Sequence, residues 1–323
     1  MQPAAIQSAR SDLLRGLAQG EVRLAFQPQI EIATGAITGF EAVARWDHPE
    51  FGILTPGLFL GLAAREGLSG LMTRTLLAQA ASQVLRWREA GWPVMVALNL
   101  GPSDLVDPTF PADAVAAVRE AAARADWLVL EAGEEALAAA GDAGFNTLEL
   151  LRLAGFQVAL DAKGPPAIAL DGRGRALFCQ LKCGGTTMLR VARRLQALDA
   201  SPFARRIEAA RAAGLSVVAV GAETEGAMAL FRSFGFDLVQ GNAFSPPVAA
   251  ADAQLLLQGF PVSAPAIKPA PYVAPPPPLA AAATAAPARR GLRLSGVEIV
   301  EPEPPAYQDN PPELSSDRLS YWG

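Results

Sequence analysis

The sequence predicts a TIM-like (β/α)8 barrel with an antiparallel first strand, followed by a disordered C-terminal tail rich in Pro and Ala. Three observations lead to this prediction: eight short β-like runs, helical patterns between most of them, and a change of composition near Gly259. Strand–helix alternation over about 240 residues is typical of such barrels. An open doubly wound sheet is the alternative, but no strand is followed by the G-x-G-x-x-G turn that would favour it.

Each element of this fold has a candidate segment. The strand candidates are 22–30, 37–46, 93–100, 126–131, 156–161, 177–182, 215–221 and 236–240. The helical patterns are 56–66, 71–90, 112–124, 142–154, 200–213 and 224–234. Gly91 and Gly155 follow two of the helices, at a position where a positive φ is often needed. The first two strands are joined by a few residues containing TG, too few for a crossover helix, so we expect them to pair antiparallel.

The composition divides the chain into a barrel domain over 10–258 and a tail over 261–323. The tail contains PAPYVAPPPPLAAAATAAPARR and EPEPPAYQDNPPE, and proline at this density fixes φ and removes backbone donors. It also lacks the apolar periodicity that would offset the loss of chain entropy on folding. The tail is therefore either a passive disordered segment or a docking segment for a protein partner, with SYWG at its end as the anchor.

Composition also restricts the class of protein. The net charge of −5 argues against a general nucleic-acid binder. The cysteines, Cys179 and Cys183, are too few for a disulfide framework, which indicates a reducing compartment and a role in core packing. The N-terminal residues lack an apolar signal region, and no run of eighteen uncharged apolar residues occurs. We expect a cytoplasmic protein without a membrane span, in which the single histidine, His48, is structural.

Polar residues end most of the predicted strands, where barrels of this type carry their functional groups. They are Glu41 and Arg45 on the second strand, Asn99 on the third, Glu131 on the fourth, Asp161 on the fifth, Lys182 on the sixth and Gln240 on the eighth. Three carboxylates at one mouth repel each other unless they are protonated or neutralised by a cation. Hard oxygen ligands suit one Mg²⁺, Mn²⁺ or Ca²⁺ ion. The alternative is that these groups are simply hydrogen-bonded to their neighbours.

One long stretch, FQPQIEIATGAITGFEAVARWDHPEFGILTP, resembles the opening of the EAL family. The segments VALNLGPSDL, LVLEAGEEAL, FQVALDAKG, LKCG, VVAVGAETEG and FDLVQGNAFSPP follow in the order and at the spacing of that family. The similarity covers about residues 10–258. It implies a barrel related to enzymes that hydrolyse cyclic di-GMP to the linear dinucleotide with two divalent metals. Some members of the family are inactive and serve as receptors or scaffolds.

The resemblance also implies roles for individual residues. The ligands of the first metal in the family are matched by Glu41, Asn99, Glu131 and Asp161. Arg45 matches an arginine that contacts a ligand phosphate, and Lys182 matches a lysine near the attacking water. Glu134 matches the second Glu of E-x-T-E and Gln240 the Gln of Q-G-Y, which makes both candidates for ligand binding. Lys182 has a second interpretation, as a buried ion-pair partner of the acids.

Several positions depart from the family pattern. Ala162 replaces the second Asp of D-D-F-G, Gly184 the Asp of K-I-D, and Val220 the Glu of A-E-G-V-E-T, the usual candidate for the general base. The loop that usually reads F-G-T-G-Y-S-S-L is KGPPAIAL at 163–170. A two-metal mechanism needs both ions, and a general base contributes roughly 10²–10⁴-fold. The sequence therefore predicts that hydrolysis is lost.

We therefore expect a catalytically degenerate EAL domain that acts as a cyclic di-GMP receptor or signalling scaffold. One alternative is a weak phosphodiesterase in which one metal and Lys182 suffice for catalysis. The other is a protein-interaction barrel that binds no nucleotide. Arg45 and the retained metal ligands favour the receptor over the interaction barrel, whereas Ala162 and Val220 favour it over the enzyme. The expected partners are cyclic di-GMP, a protein that contacts the tail, and a second copy of the chain in a homodimer.

Overall fold

The computed structural model describes residues 10–163, 166–170, 172–184, 202–222 and 231–265. The strands are β1 (Val22–Glu31), β2 (Ile37–His48), β3 (Gly52–Leu54), β4 (Met95–Leu100), β5 (Leu128–Gly133), β6 (Gln157–Ala162), β7 (Gln180–Gly184), β8 (Ser216–Val220) and β9 (Leu238–Gln240). The helices are α1 (Arg10–Ala18), α2 (Pro56–Arg65), α3 (Ser69–Glu89), α4 (Pro102–Val106), α5 (Phe110–Glu120), α6 (Glu134–Leu153), α7 (Gly172–Leu177), α8 (Pro202–Ala212) and α9 (Ala250–Gly259).

The strands close into a barrel. β1 pairs antiparallel with β2 on one side and with β9 on the other, while β2 and β4 to β9 run parallel to one another. β3 is a short hairpin addition to β2 outside this ring. The predicted barrel and its antiparallel first strand are confirmed, because residues 32–36 between β1 and β2 leave no room for a crossover helix.

Register brings the polar strand ends together. Asn99 on β4 lies beside Glu131 on β5, and Asp161 on β6 lies beside Lys182 on β7. Side chains alternate between the two faces of a strand, so residues at equivalent positions on neighbouring strands point to the same side. The C-terminal ends of the parallel strands therefore form a polar mouth above an apolar interior.

The apolar core has two parts. The larger part lies between the strands and the surrounding helices and contains Phe26, Phe40 and Trp87, whose rings pack with centroids 4.8–6.5 Å apart. A smaller cluster contains the buried side chains Met95, Ala97, Val129, Ala159 and Cys179. All but Cys179 lie on strands, and most are small, as a narrow barrel interior requires.

The observed helices differ from the predicted ones in places. α6 begins at Glu134 rather than at 142, because Gly141, with φ 55° and ψ −137°, introduces a kink that interrupts the helical pattern. The helices α1, α4, α7 and α9 were not predicted. Gly91 and Gly155 do adopt positive φ angles, 89° and 101°, as their places after helices indicated. The predicted helix at 224–234 falls mostly on 223–230, outside the described residues.

The chain continues past α9 in an ordered conformation. The carbonyl of Pro261 accepts a hydrogen bond from the amide of Ile37 at 2.8 Å, and the amide of Ser263 donates to the carbonyl of Ile37 at 3.1 Å. The predicted start of the disordered tail at 261 is thus too early, because these residues add backbone hydrogen bonds to β2. Ile37 begins β2, so residues 261–263 lie at the end of the barrel opposite the polar mouth. Residues 266–323, which hold most of the predicted tail, lie outside the described residues.

A helix needs about 20 consecutive, mostly apolar residues to cross a bilayer. Within the described part of the chain, no helix combines the length and the apolar character that crossing a bilayer requires.

Candidate functional site

A buried lysine lies at the centre of the polar mouth. Lys182, the middle residue of β7, donates hydrogen bonds to Oε1 and Oε2 of Glu131 at 2.6 and 2.7 Å and to Oε2 of Glu41 at 2.6 Å. Lys182 and Glu131 are each only 1% exposed. One ammonium group therefore contacts two carboxylates, from β2 and β5, and uses all three of its donors.

Amide side chains complete the shell of Glu41. The side-chain amide of Asn99 donates to Oε1 of Glu41 at 2.8 Å, and that of Gln240 donates to Oε2 at 2.7 Å. Gln240 also donates to Gln27 at 2.8 Å and accepts from Gln29 at 3.3 Å. Both oxygens of Glu41 are thus hydrogen-bonded, and β1 supports the cluster with two glutamines.

Asp161 has a separate cation. Its Oδ2 lies 2.7 Å from Nζ of Lys163, which is two residues further along the chain. The Asp161 side chain is 10% exposed and the Lys163 side chain 79% exposed, so the carboxylate lies at the inner edge of the mouth and the lysine extends into solvent. The mouth therefore contains three carboxylates and two ammonium groups in direct contact with them.

The pKa values of the two glutamates in this cluster are shifted in opposite directions. Burial alone would raise the pKa of Glu41, but the charge of Lys182 and the hydrogen bonds from Lys182, Gln240 and Asn99 lower it to about 2. Burial raises the pKa of Glu131 to about 8, against the attraction of Lys182 and with added repulsion from Glu41. The pKa of Lys182 is raised, because the two glutamates outweigh the effect of burial. At neutral pH the centre is therefore a Lys182–Glu41 ion pair beside a glutamate that favours its protonated form.

Arg45 lies on the same face of β2 as Glu41, four residues further along, which is about 13 Å for an extended strand. Its guanidinium donates to the carbonyl of Ala44 at 2.8 Å, and among the described residues no carboxylate pairs with it. Burial and the nearby charge of Arg23 lower the pKa of Arg45. A half-buried arginine without an anionic partner is a ready site for an anion.

Glu134 has contacts that sequence reasoning missed. It begins α6, is 2% exposed, and its Oε1 accepts hydrogen bonds from the amides of Ala167 and Ile168 at 2.9 and 2.8 Å. Arg206 on α8 donates to the same oxygen and also to the carbonyl of Ile168. These contacts fix the described part of the loop after β6. The ligand contact predicted for Glu134 remains a prediction.

The positions that depart from the sequence pattern lie at the same end of the barrel. Ala162 ends β6, is 8% exposed and packs in the main core, where it pairs in register with Cys183. Gly184 ends β7 beside Val220, which ends β8, and both are partly exposed. None of these three side chains can accept a proton or bind a hard cation. Among the described residues, the C-terminal ends of β7 and β8 therefore carry no carboxylate at positions 184 and 220.

A cavity of about 430 Å³ opens beside this cluster. Glu41, Asn99 and Lys163 are among the residues that line it, and mostly apolar residues of α2, α3, β2 and β4 form the rest of its walls. An apolar pocket with a few convergent polar groups is the usual form of a small-molecule site. The polar cluster therefore has an adjoining space in which part of a ligand can lie.

The side-chain oxygens of the expected metal ligands suit a divalent cation, but their arrangement does not. Among the described residues no group of three or more His, Cys, Asp or Glu side chains could hold a metal ion. Instead, Lys182 contacts both Glu41 and Glu131, and Lys163 contacts Asp161. The expected metal ligands are thus present at the mouth, with their charge balanced by lysines of the chain itself.

The remaining candidates have structural contacts. His48 is 7% exposed, and its Nδ1 accepts hydrogen bonds from the amides of Glu50 and Phe51 at 3.2 and 3.3 Å, which holds the turn into β3. Cys179 and Cys183 are free and buried, and burial raises the pKa of each thiol to about 12.

The chain belongs to the EAL domain family, whose model matches residues 10–247. It is 26% identical to the cyclic di-GMP phosphodiesterase RocR of Pseudomonas aeruginosa over 238 residues, which is 74% of this chain and 60% of RocR. It is 31% identical to the uncharacterized protein Rv1357c of Mycobacterium tuberculosis, over 71% of this chain and 76% of that protein. It is also 29% identical to the uncharacterized protein y4lL of Sinorhizobium fredii, of which it covers only 30%. The chain thus spans less than two thirds of some of these relatives.

Solved structures show the same fold. The PaMucR phosphodiesterase in its c-di-GMP complex is 25% identical, with a TM-score of 0.66 over 75% of this chain and 98% of that chain. The FimX EAL domain from Pseudomonas aeruginosa, bound to c-di-GMP, is 17% identical with a TM-score of 0.65 over 74% of this chain and 96% of that chain. At that identity the second match supports the fold alone.

Proposed function

We propose that this EAL domain is a receptor or signalling scaffold that binds cyclic di-GMP without hydrolysing it. The ligand class comes from the family and from relatives and solved structures that carry cyclic di-GMP in their names. The receptor role comes from residues of this chain. Its output would pass to a protein partner or to a second copy of the chain, in the cytoplasm.

The observation that carries the proposal is the environment of the Arg45 guanidinium. It lies half-buried on the mouth-facing side of β2 and has no carboxylate partner among the described residues. A phosphodiester supplies the anion that such a guanidinium lacks, and it can accept two hydrogen bonds from the planar fork. The neighbouring cavity gives the rest of a nucleotide a place to lie.

The same mouth is poorly equipped for hydrolysis. Attack on a phosphodiester needs an activated water and stabilisation of the leaving oxygen. Ala162 and Val220 supply neither a metal ligand nor a base, and Lys182 is committed to three hydrogen bonds with Glu41 and Glu131. The weak phosphodiesterase, in which Lys182 would take part in catalysis, is therefore the less favoured alternative.

Calorimetric titration of the purified chain with cyclic di-GMP, with Mg²⁺ and with a chelator in parallel, tests the proposal. We expect saturable binding at micromolar or lower ligand. Absence of binding at high micromolar ligand in both buffers would refute the receptor role and leave the protein-interaction barrel as the better description.

A further inference from the structure

Lys163 departs from the family pattern in a way that adds a charge to the mouth. It occupies the position of the Phe in D-D-F-G, and its ammonium group lies 2.7 Å from Oδ2 of Asp161. Positions 161 and 163 have the same parity along the chain as it leaves β6, so their side chains emerge on the same side. Lys163 also lines the cavity beside Glu41 and Asn99.

The carboxyl groups of the mouth already have cationic partners without a metal. The carboxylates of Glu41, Glu131 and Asp161 face the ammonium groups of Lys182 and Lys163, and Arg45 is a third cation on the same side of the barrel. A divalent ion at Asp161 would have to displace Lys163 or repel it at a few ångströms. Like charges at such distances weaken binding even near a protein surface.

We infer that Lys163 is a built-in cation that takes the place of a divalent metal at Asp161 and contacts the phosphate of the bound ligand. Its side chain is 79% exposed and flexible, so the ammonium group can move from Asp161 to an arriving phosphate. The first part of this inference concerns the chain alone. The phosphate contact rests on the proposed function.

Metal binding in the absence of nucleotide tests the first part. Mn²⁺ is titrated into the wild-type chain and into Lys163→Gln and Lys163→Arg, with free Mn²⁺ followed by electron paramagnetic resonance. We expect Lys163→Gln to bind Mn²⁺ about five- to tenfold more tightly than wild type, the size of a partly screened charge interaction, and Lys163→Arg to resemble wild type. Equal Mn²⁺ affinity in wild type and Lys163→Gln would overturn the inference.

Nucleotide binding in chelator tests the second part. Cyclic di-GMP should bind wild type and Lys163→Arg in EDTA, and Lys163→Gln about fivefold or more weakly, since a charged hydrogen bond is lost. The exposed Arg175→Gln is the matched control for loss of a surface cation. Equal affinity of wild type and Lys163→Gln, or binding by wild type only with Mg²⁺, would contradict the phosphate contact. If wild type binds no nucleotide in any buffer, the proposed function fails, whereas the Mn²⁺ result still decides whether Lys163 excludes the metal.

Discussion

Lys182 holds Glu131 with two hydrogen bonds, at 2.6 and 2.7 Å, in a part of the barrel where both residues are 1% exposed. The same ammonium group reaches Glu41 at 2.6 Å. A buried charge without a partner is far more costly than a buried pair. The stability of the mouth therefore depends on the lysine more than on either glutamate.

Replacing the lysine should destabilise the chain strongly. Lys182→Met leaves Glu41 and Glu131 buried without their cation, and we expect the free energy of unfolding to fall by about 3–5 kcal/mol. Glu131→Gln keeps the Lys182–Glu41 pair and should cost only about 1 kcal/mol. Urea denaturation near pH 7 compares the two. Equal stability of Lys182→Met and wild type would show that the ion pairs contribute nothing.

The raised pKa of Glu131 predicts a pH dependence with a definite sign. Burial raises this pKa from 4.5 to about 8, so the folded chain binds a proton that the unfolded chain has released. The free energy of unfolding should therefore decrease as the pH rises from about 4.5 to about 8. Glu41 has its pKa lowered to about 2, so its contribution is complete above about pH 4.5 and disappears only in stronger acid.

Glu131→Gln provides the measurement for this effect. The variant cannot release the proton, so its free energy of unfolding should vary less than that of wild type between about pH 6 and pH 8. Urea denaturation at several pH values in this window gives both slopes. Parallel curves for wild type and Glu131→Gln would mean that the carboxyl is already ionised in the folded state.

The sequence predicted the residues of the mouth better than their contacts. Asn99, Glu131 and Lys182 were identifiable because each lies within two residues of the end of a buried strand, and parallel strands bring their C-terminal ends together. Glu41 lies further from the end of its strand, β2, and was identified by the family pattern. The burial of several acids predicted a compensating cation, but the sequence did not identify which cation this is. The lysines provide it through side-chain geometry, which strand periodicity does not contain.

Contacts between distant segments were even harder to predict from the sequence. Glu134 and Arg206 are separated by 72 positions, and their pairing depends on how α8 packs against the loop after β6. The pairing of Pro261 and Ser263 with Ile37 is similar, because proline-rich composition predicted disorder at a place where the backbone still finds donors and acceptors. In both cases tertiary contacts outweigh the local pattern.

Two truncations test where the folded part ends. A chain ending at Pro265 keeps both hydrogen bonds to Ile37, so its free energy of unfolding should match that of the full chain. A chain ending at Phe260 loses them and should be less stable by about 1–3 kcal/mol. Thermal and urea denaturation of the three chains decides this. A large loss already at Pro265 would mean that the tail packs on the barrel, and no loss at Phe260 would mean that the Ile37 contacts are unimportant.

The proposed lack of hydrolysis leads to a further prediction. With Mg²⁺ or Mn²⁺ the wild-type chain should release no linear dinucleotide above background, measured by chromatography. Ala162→Asp with Val220→Glu restores the two carboxylates, but Ala162 packs in the core, so the new Asp should lower the free energy of unfolding by about 1–3 kcal/mol. Robust metal-dependent product from wild type, abolished by Glu41→Ala, would identify an active enzyme instead.

Arg45 provides the most direct test of nucleotide recognition. Because its guanidinium has no carboxylate partner among the described residues, Arg45→Ala breaks no ion pair there and should leave the fold intact. We expect it to weaken cyclic di-GMP binding by about 1.5–3 kcal/mol, the usual contribution of a hydrogen bond to a charged group. Arg45→Lys should recover only part of this affinity, since an ammonium group cannot make the two-point contact of the guanidinium fork.

Arg175→Ala, at an exposed position, controls for the loss of a positive charge. Calorimetry on the four proteins gives the affinities, and an Arg45→Ala affinity equal to that of Arg175→Ala would remove Arg45 from the binding site.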